Sequence, residues 1–72
     1  MDLTMATVFD TWEKEGGLVT INLAAKMIDI SQQSVSEAAD KGKIRSFHIE
    51  KKRYLSYYSV LEYIAKRNAR SA

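Results

Sequence analysis

Residues 18–44 read LVTINLAAKMIDISQQSVSEAADKGKI, and the fold follows from them. A short extended stretch at 18–21 leads into a helix over about 22–28. Thr20 stands ready to cap it, and Leu23, Ala24, Met27 and Ile28 supply its apolar face. Asp29-Ile30-Ser31 leaves room only for a tight turn, in which apolar Ile30 pins two helices together. Ser31 sits where the N-cap of a second helix belongs, and that helix runs through Gln32 to Lys41. Gly42 can take the left-handed conformation that ends it. Two short helices joined by three residues make a helix-turn-helix pattern.

Outward toward the C-terminus the period changes. Ile44, Phe47 and Ile49 interleave with Arg45, Ser46 and His48, Glu50-Lys51-Lys52 forms a polar tip, and Arg53-Tyr54-Leu55-Ser56-Tyr57 is rich in strand formers. The segment reads as a β-hairpin whose register is open, because the tip lacks the Asn-Gly signal of a tight turn. A last helix begins at Tyr57 or Tyr58 and reaches Arg67. Its cap is Ser56 or Ser59, the Ser59–Glu62 spacing matches a capping box, and Val60, Leu61 and Ile64 face inward. Lys66, Arg67 and Arg70 suit the helix C-terminus electrostatically.

Outward toward the N-terminus, Thr4 to Glu15 reads as an amphipathic helix that Gly16-Gly17 stops. Met5, Val8, Phe9 and Trp12 form its apolar stripe, while Asp10, Glu13, Lys14 and Glu15 read as a solvated face. The expected class is therefore mainly α with a small β-hairpin. An N-terminal amphipathic helix occupies residues 1–17, a domain 18–67, and a basic tail 68–72.

Charge divides the chain. Residues 1–40 hold two basic against seven acidic side chains, net −5, and residues 41–72 hold nine against two, net +7. A lopsided field of this kind favours a polyanionic partner, although charged residues at a hairpin edge also serve solubility. Seventy-two residues make one small domain with a thin stability margin. Cysteine is absent and no metal-ligand cluster is visible, so neither disulfide nor zinc is available as a staple, and no cofactor is expected. No apolar run approaches the roughly 20 residues of a membrane span, and no signal peptide is recognisable, so a cytoplasmic protein is expected. No nucleophile–base pair forms around His48, the sole histidine, and no glycine-rich loop cradles a phosphate. The chain is not expected to be an enzyme.

The order helix, tight turn, helix, Gly, basic hairpin, helix resembles the winged helix-turn-helix of phage excisionases and of MerR-like DNA-binding domains. The resemblance covers Leu18 to Ile64 and rests on LVTINLAAKMIDIS, on SQQSVSEAADKGKI and on RYLSYYSVLEYI. Within these, Ala24-Ala25, Ile30-Ser31, Val35, Gly42-Lys43-Ile44 and Leu61 match the types the family keeps. The resemblance implies a second helix in the major groove of double-stranded DNA and a hairpin, the wing, along the backbone. Gln32, Gln33, Ser36 and Glu37 would then face the bases, glutamine suiting the donor–acceptor edge of adenine. Ser31, Lys43, Arg45, Lys51, Lys52 and Arg53 would contact the backbone. The role implied is a transcription regulator, or a recombination directionality factor with an integrase as protein partner.

The second helix carries Glu37, Ala38 and Asp40 where relatives often have basic residues or a large aromatic. That favours binding as a homodimer or DNA-templated oligomer, or else a phage-type inhibitor or adaptor that uses the same fold on a protein. Val8, Phe9 and Trp12, outside the resemblance, either cover the first helix of the pair or mediate self-association. The chain ends soon after its last helix, so no effector site is expected.

Overall fold

The caps anticipated at Thr20 and Ser31 both form, and they fix where the central helices begin. The computed structural model describes residues 4–71, except the side chains of Met5, Arg70 and Ser71; Met5 of the apolar stripe and Arg70 of the basic cluster thus lie outside it. Element α1 spans Met5–Lys14, β1 Leu18–Thr20, α2 Ile21–Ile28, α3 Gln32–Asp40, β2 Ser46–Ile49, β3 Lys52–Ser56 and α4 Tyr57–Ser71. The chain is mainly helical, with a three-stranded antiparallel sheet in the order β1-β3-β2.

Thr20 Oγ1 accepts from the Leu23 N–H at 3.1 Å, and Ser31 Oγ accepts from the Ser34 N–H at 3.1 Å. Each satisfies a helix-end donor that otherwise lacks a partner. Asp29 closes α2 in the left-handed region, at φ 66°, a conformation that a short polar side chain tolerates. Gly42, at φ 77°, turns the chain away after α3. Ala24 and Ala25 of α2 and Ala38 and Ala39 of α3 are all buried in the core that the two helices share.

Around the alanines lie Val19, Ile28, Val35, Ile44, Leu55 and Val60. Val35, Ile44, Leu55 and Val60 are almost wholly excluded from solvent, each contributing about 1.5–3 kcal/mol of burial. Two expected members are missing. Leu23 and Leu61 are exposed, because the buried arc of α2 is centred on Ala24, Ala25 and Ile28 and that of α4 on Val60 and Ile64. A helix advances about 100° per residue, so each leucine is carried out of its arc.

The sheet holds one strand more than the hairpin read from sequence. β1 pairs with β3, Val19 opposite Leu55, which makes β3 central and Leu55 fully buried. In the hairpin, Ile49 pairs with Lys52 and leaves Glu50-Lys51 as a two-residue turn. Both turn residues have positive φ, 50° and 68°, the geometry that matches strand twist and is usually supplied by Asn-Gly.

The α4 cap is settled in favour of Ser56, whose Oγ accepts from the Ser59 N–H at 3.1 Å. The anticipated Ser59–Glu62 box does not form. Ser59 Oγ instead accepts from the Arg45 N–H at 2.9 Å, tying the chain after α3 to α4. Helix α4 continues to Ser71, through the described part of the stretch expected to be a tail.

α1 joins this body at its C-terminal end. The Tyr57 and Tyr58 N–H groups donate to the carbonyls of Gly17 and Glu15, each at 3.0 Å. No described residue of α1 belongs to the core cluster. Among the described residues, no helix is long and apolar enough to cross a membrane.

Candidate functional site

The surface of α3 is a row of polar side chains. Gln33, Glu37 and Asp40 recur at helical spacing on its solvent side, with Gln32 and Ser34 beside them, all exposed. Gln33 Nε2 donates to Glu37 Oε1 at 3.4 Å along the helix, and Gln32 Nε2 donates to Asn22 Oδ1 of α2 at 3.3 Å. Ser36, expected beside them in the open, is half-buried, since it lies toward Ala39 on the helix surface. Ser31 is exposed, but its hydroxyl already serves the α3 cap and donates to Ser34 Oγ at 2.9 Å.

The hairpin stands against this row through Arg53. Its Nη1 lies 2.9 Å from Asp40 Oδ1 and its Nη2 donates to Ser46 Oγ at 3.4 Å, while Nε is buried without a partner. Arg53 therefore neutralises an acidic residue of α3 instead of reaching outward. Its partner is 13 residues away, so no local spacing announces the pair.

Arg45 is diverted as well. Its Nε donates to both carboxylate oxygens of Glu15 at 3.0 Å, and Ser56 Oγ donates to Glu15 Oε1 at 3.3 Å. The hydrogen bond to Glu15 raises the arginine pKa above its ordinary value, desolvation opposes the shift, and the charges of Glu15 and Glu62 add to it. Glu15 is buried, whereas the sequence placed it on a solvated acidic face. The carboxylate latches α1 to the chain between α3 and the hairpin, and only the adjoining Gly16-Gly17 break hinted that it differs from Asp10 and Glu13.

Four lysines remain. Lys41 and Lys43 follow α3, Lys51 lies in the hairpin turn and Lys52 opens β3; all are exposed and none has an ion-pair partner among the described residues. Lys41 was not among the residues expected to bind. Its position as the α3 C-cap beside Lys43 is the signal that sequence reading passed over. His48 is exposed on β2 opposite Arg53.

An open cleft of about 220 Å³ lies between α3 and α4, bordered by Glu37, Lys41, Lys43 and Tyr63. That is below the roughly 300 Å³ at which small-molecule sites begin. Among the described residues, no group of three His, Cys, Asp or Glu side chains could hold a metal ion. The arrangement is a surface rather than a pocket, with amide groups in the row and unpaired ammonium groups at its borders. On α1, Phe9 and Trp12 are exposed and Val8 is half-buried. Comparison with protein-family models, with curated proteins and with solved structures returns no match to this chain.

Proposed function

We propose that this chain binds double-stranded DNA as a winged helix-turn-helix, with α3 in the major groove and the β2–β3 hairpin as the wing. The observation that carries the reading is the set of unpaired, exposed lysines, Lys41, Lys43, Lys51 and Lys52, beside a helix whose outer row presents glutamine amides. The Arg53–Asp40 pair supports it in a second way, because it removes one negative charge from the face that must approach phosphates. Gln32 and Gln33 read base edges, with adenine the favoured target, and the lysines hold the backbone. Arg45 and Arg53 act as internal braces of the surface. The biological role is regulation of transcription, or assistance to a recombinase by shaping DNA.

The test is retention of mixed genomic duplex fragments in an electrophoretic shift across a salt series, with sequencing of the retained fraction. Four phosphate contacts per chain give a slope of about −3.6 in log K against log salt. The double substitution Lys51→Glu with Lys52→Glu should flatten that slope and abolish retention. Arg53 is left intact in this variant, because its loss would strand Asp40 and confuse binding with folding. Absence of retention by the unmodified chain at low salt would sink the proposal.

The exposed Glu37 favours a second reading, in which the same surface docks on a protein. A complex of that kind survives the double lysine reversal unless its partner is acidic, so the one variant separates the two readings.

A further inference from the structure

The open cleft between α3 and α4 carries a charge pattern that the glutamine row does not explain. Glu37 and Lys41 border it from α3, Lys43 from the turn that follows, and Tyr63 and Arg67 from α4. Three cations thus face one carboxylate, and they come from three separate pieces of the chain. Lys41, Lys43 and Arg67 are exposed, while Tyr63 is half-buried. The carboxylate of Glu37 accepts from Gln33 Nε2 at 3.4 Å, on the outer row of α3.

Each cation is placed by backbone with its own reason to be there. Lys41 is the C-cap of α3. The Lys43 N–H donates to the Ala38 carbonyl at 2.9 Å and the Gly42 N–H to that of Ala39 at 3.1 Å, the paired bonds that close a helix on a left-handed glycine. This closure holds Lys43 against the end of α3 and satisfies two of its last carbonyls. On α4, Tyr63 packs against the core, and Arg67 follows four residues later on the same face.

The cleft and the hairpin lie on opposite flanks of the outer row. A helix advances about 100° per residue, which sets Glu37 and Asp40 about 60° apart around α3. Glu37 stands at the edge beside the cleft, and Asp40 at the edge that the hairpin meets through Arg53. One flank therefore holds Lys51 and Lys52, and the other holds Lys41, Lys43 and Arg67. A helix lying in the major groove, about 12 Å wide, has a phosphate backbone on either side.

We propose that the α3–α4 cleft is a second phosphate-binding site, which holds the DNA strand opposite to the one held by the hairpin. Lys41 and Lys43 meet the phosphate from the end of α3, and Arg67 meets it from α4 with a guanidinium fork suited to phosphate oxygens. At about 220 Å³ and open to solvent, the cleft accommodates a phosphate group presented on an extended backbone. The inference rests on the DNA-binding reading. It adds α4 to the contacts and divides the cations between the two strands.

The experiment uses the full chain and has two parts. A salt series on mixed genomic duplex fragments compares the unmodified chain with Lys43→Ala, Arg67→Gln and Arg67→Lys. Lys43→Ala and Arg67→Gln should each make the slope of log K against log salt shallower by about 0.9. Arg67→Lys keeps the charge and should keep the slope, a rescue that a merely structural arginine would not follow. Circular dichroism and the melt check that each variant is folded, and Lys43→Ala alters only an exposed side chain.

Phosphate-ethylation interference, on a duplex recovered from the retained fraction and labelled on each strand in turn, then locates the contacts. Lys43→Ala and Arg67→Gln should erase interference on one strand, and Lys51→Ala and Lys52→Ala on the other. Retention with an unchanged slope in Lys43→Ala and Arg67→Gln overturns this inference and leaves the DNA reading standing. Erasure on the same strand as the hairpin lysines does the same. Absence of retention by the unmodified chain overturns both.

Discussion

The α2–α3 pair and α1 invert the usual ordering of side chains by size. Between α2 and α3 the buried residues are mostly alanines, Ala24, Ala25, Ala38 and Ala39, while α1 leaves Phe9 and Trp12 in solvent. Hydrophobicity alone would put the aromatics inside. The alanines are buried because Thr20, Asp29 and Ser31 fix the ends of two helices whose inner arcs, with Ile28 and Val35, join the core. α1 is attached by its last residues and by Glu15, so the same chain covers its stripe only in part and leaves Phe9 and Trp12 mostly in solvent. Burial here is decided by where an element is anchored.

The largest test of this contrast is a pair of truncations. Leu55→Ala, at the fully buried centre of the sheet, should cost about 2–5 kcal/mol in denaturant unfolding and threaten the fold of so small a chain. Phe9→Ala, although it removes a larger side chain, should change monomer stability by no more than about 0.5 kcal/mol. Comparable losses from the two would place α1 inside the cooperative core and end the distinction.

The attachment itself is tested next. Glu15→Ala removes the acceptor shared by Arg45 Nε and Ser56 Oγ and should cost about 1–2 kcal/mol. The loss should show first as faster amide exchange in α1, with protection in α2 and β3 nearly unchanged. Exchange that accelerates everywhere in parallel would mean that α1 is not a separately held element.

The smallest effect belongs to the hairpin. Replacing Glu50-Lys51 by Asn-Gly relieves two positive-φ residues and should stabilise the chain by about 0.5–1 kcal/mol. Under the DNA-binding proposal the same change removes one lysine and should make the salt slope shallower by about 0.9. Greater stability with no change of slope would remove Lys51 from the proposed phosphate contacts.

The sequence by itself determined what depends on neighbours within about four residues. Thr20 and Ser31 cap α2 and α3 as their spacing required, Gly42 follows α3, and the switch to strand residues after it marks the hairpin. These are contacts between a side chain and the backbone three residues on, available in the chain before any tertiary structure exists. The division of charge between the two halves was equally plain. The tertiary structure decided which of those charges remain free. Arg45 meets Glu15 across 30 residues and Arg53 meets Asp40 across 13, so the basic cluster of the hairpin is reduced to its lysines. It also chose Ser56 over Ser59 as a cap, by turning the Ser59 hydroxyl toward the Arg45 N–H 14 residues away. Leu23 and Leu61 fell outside for a related reason, since the rotation of a helix about its axis follows from what it packs against. Pairings between distant residues are selected by the packing of the whole chain, and they carry no periodicity that a linear reading could detect.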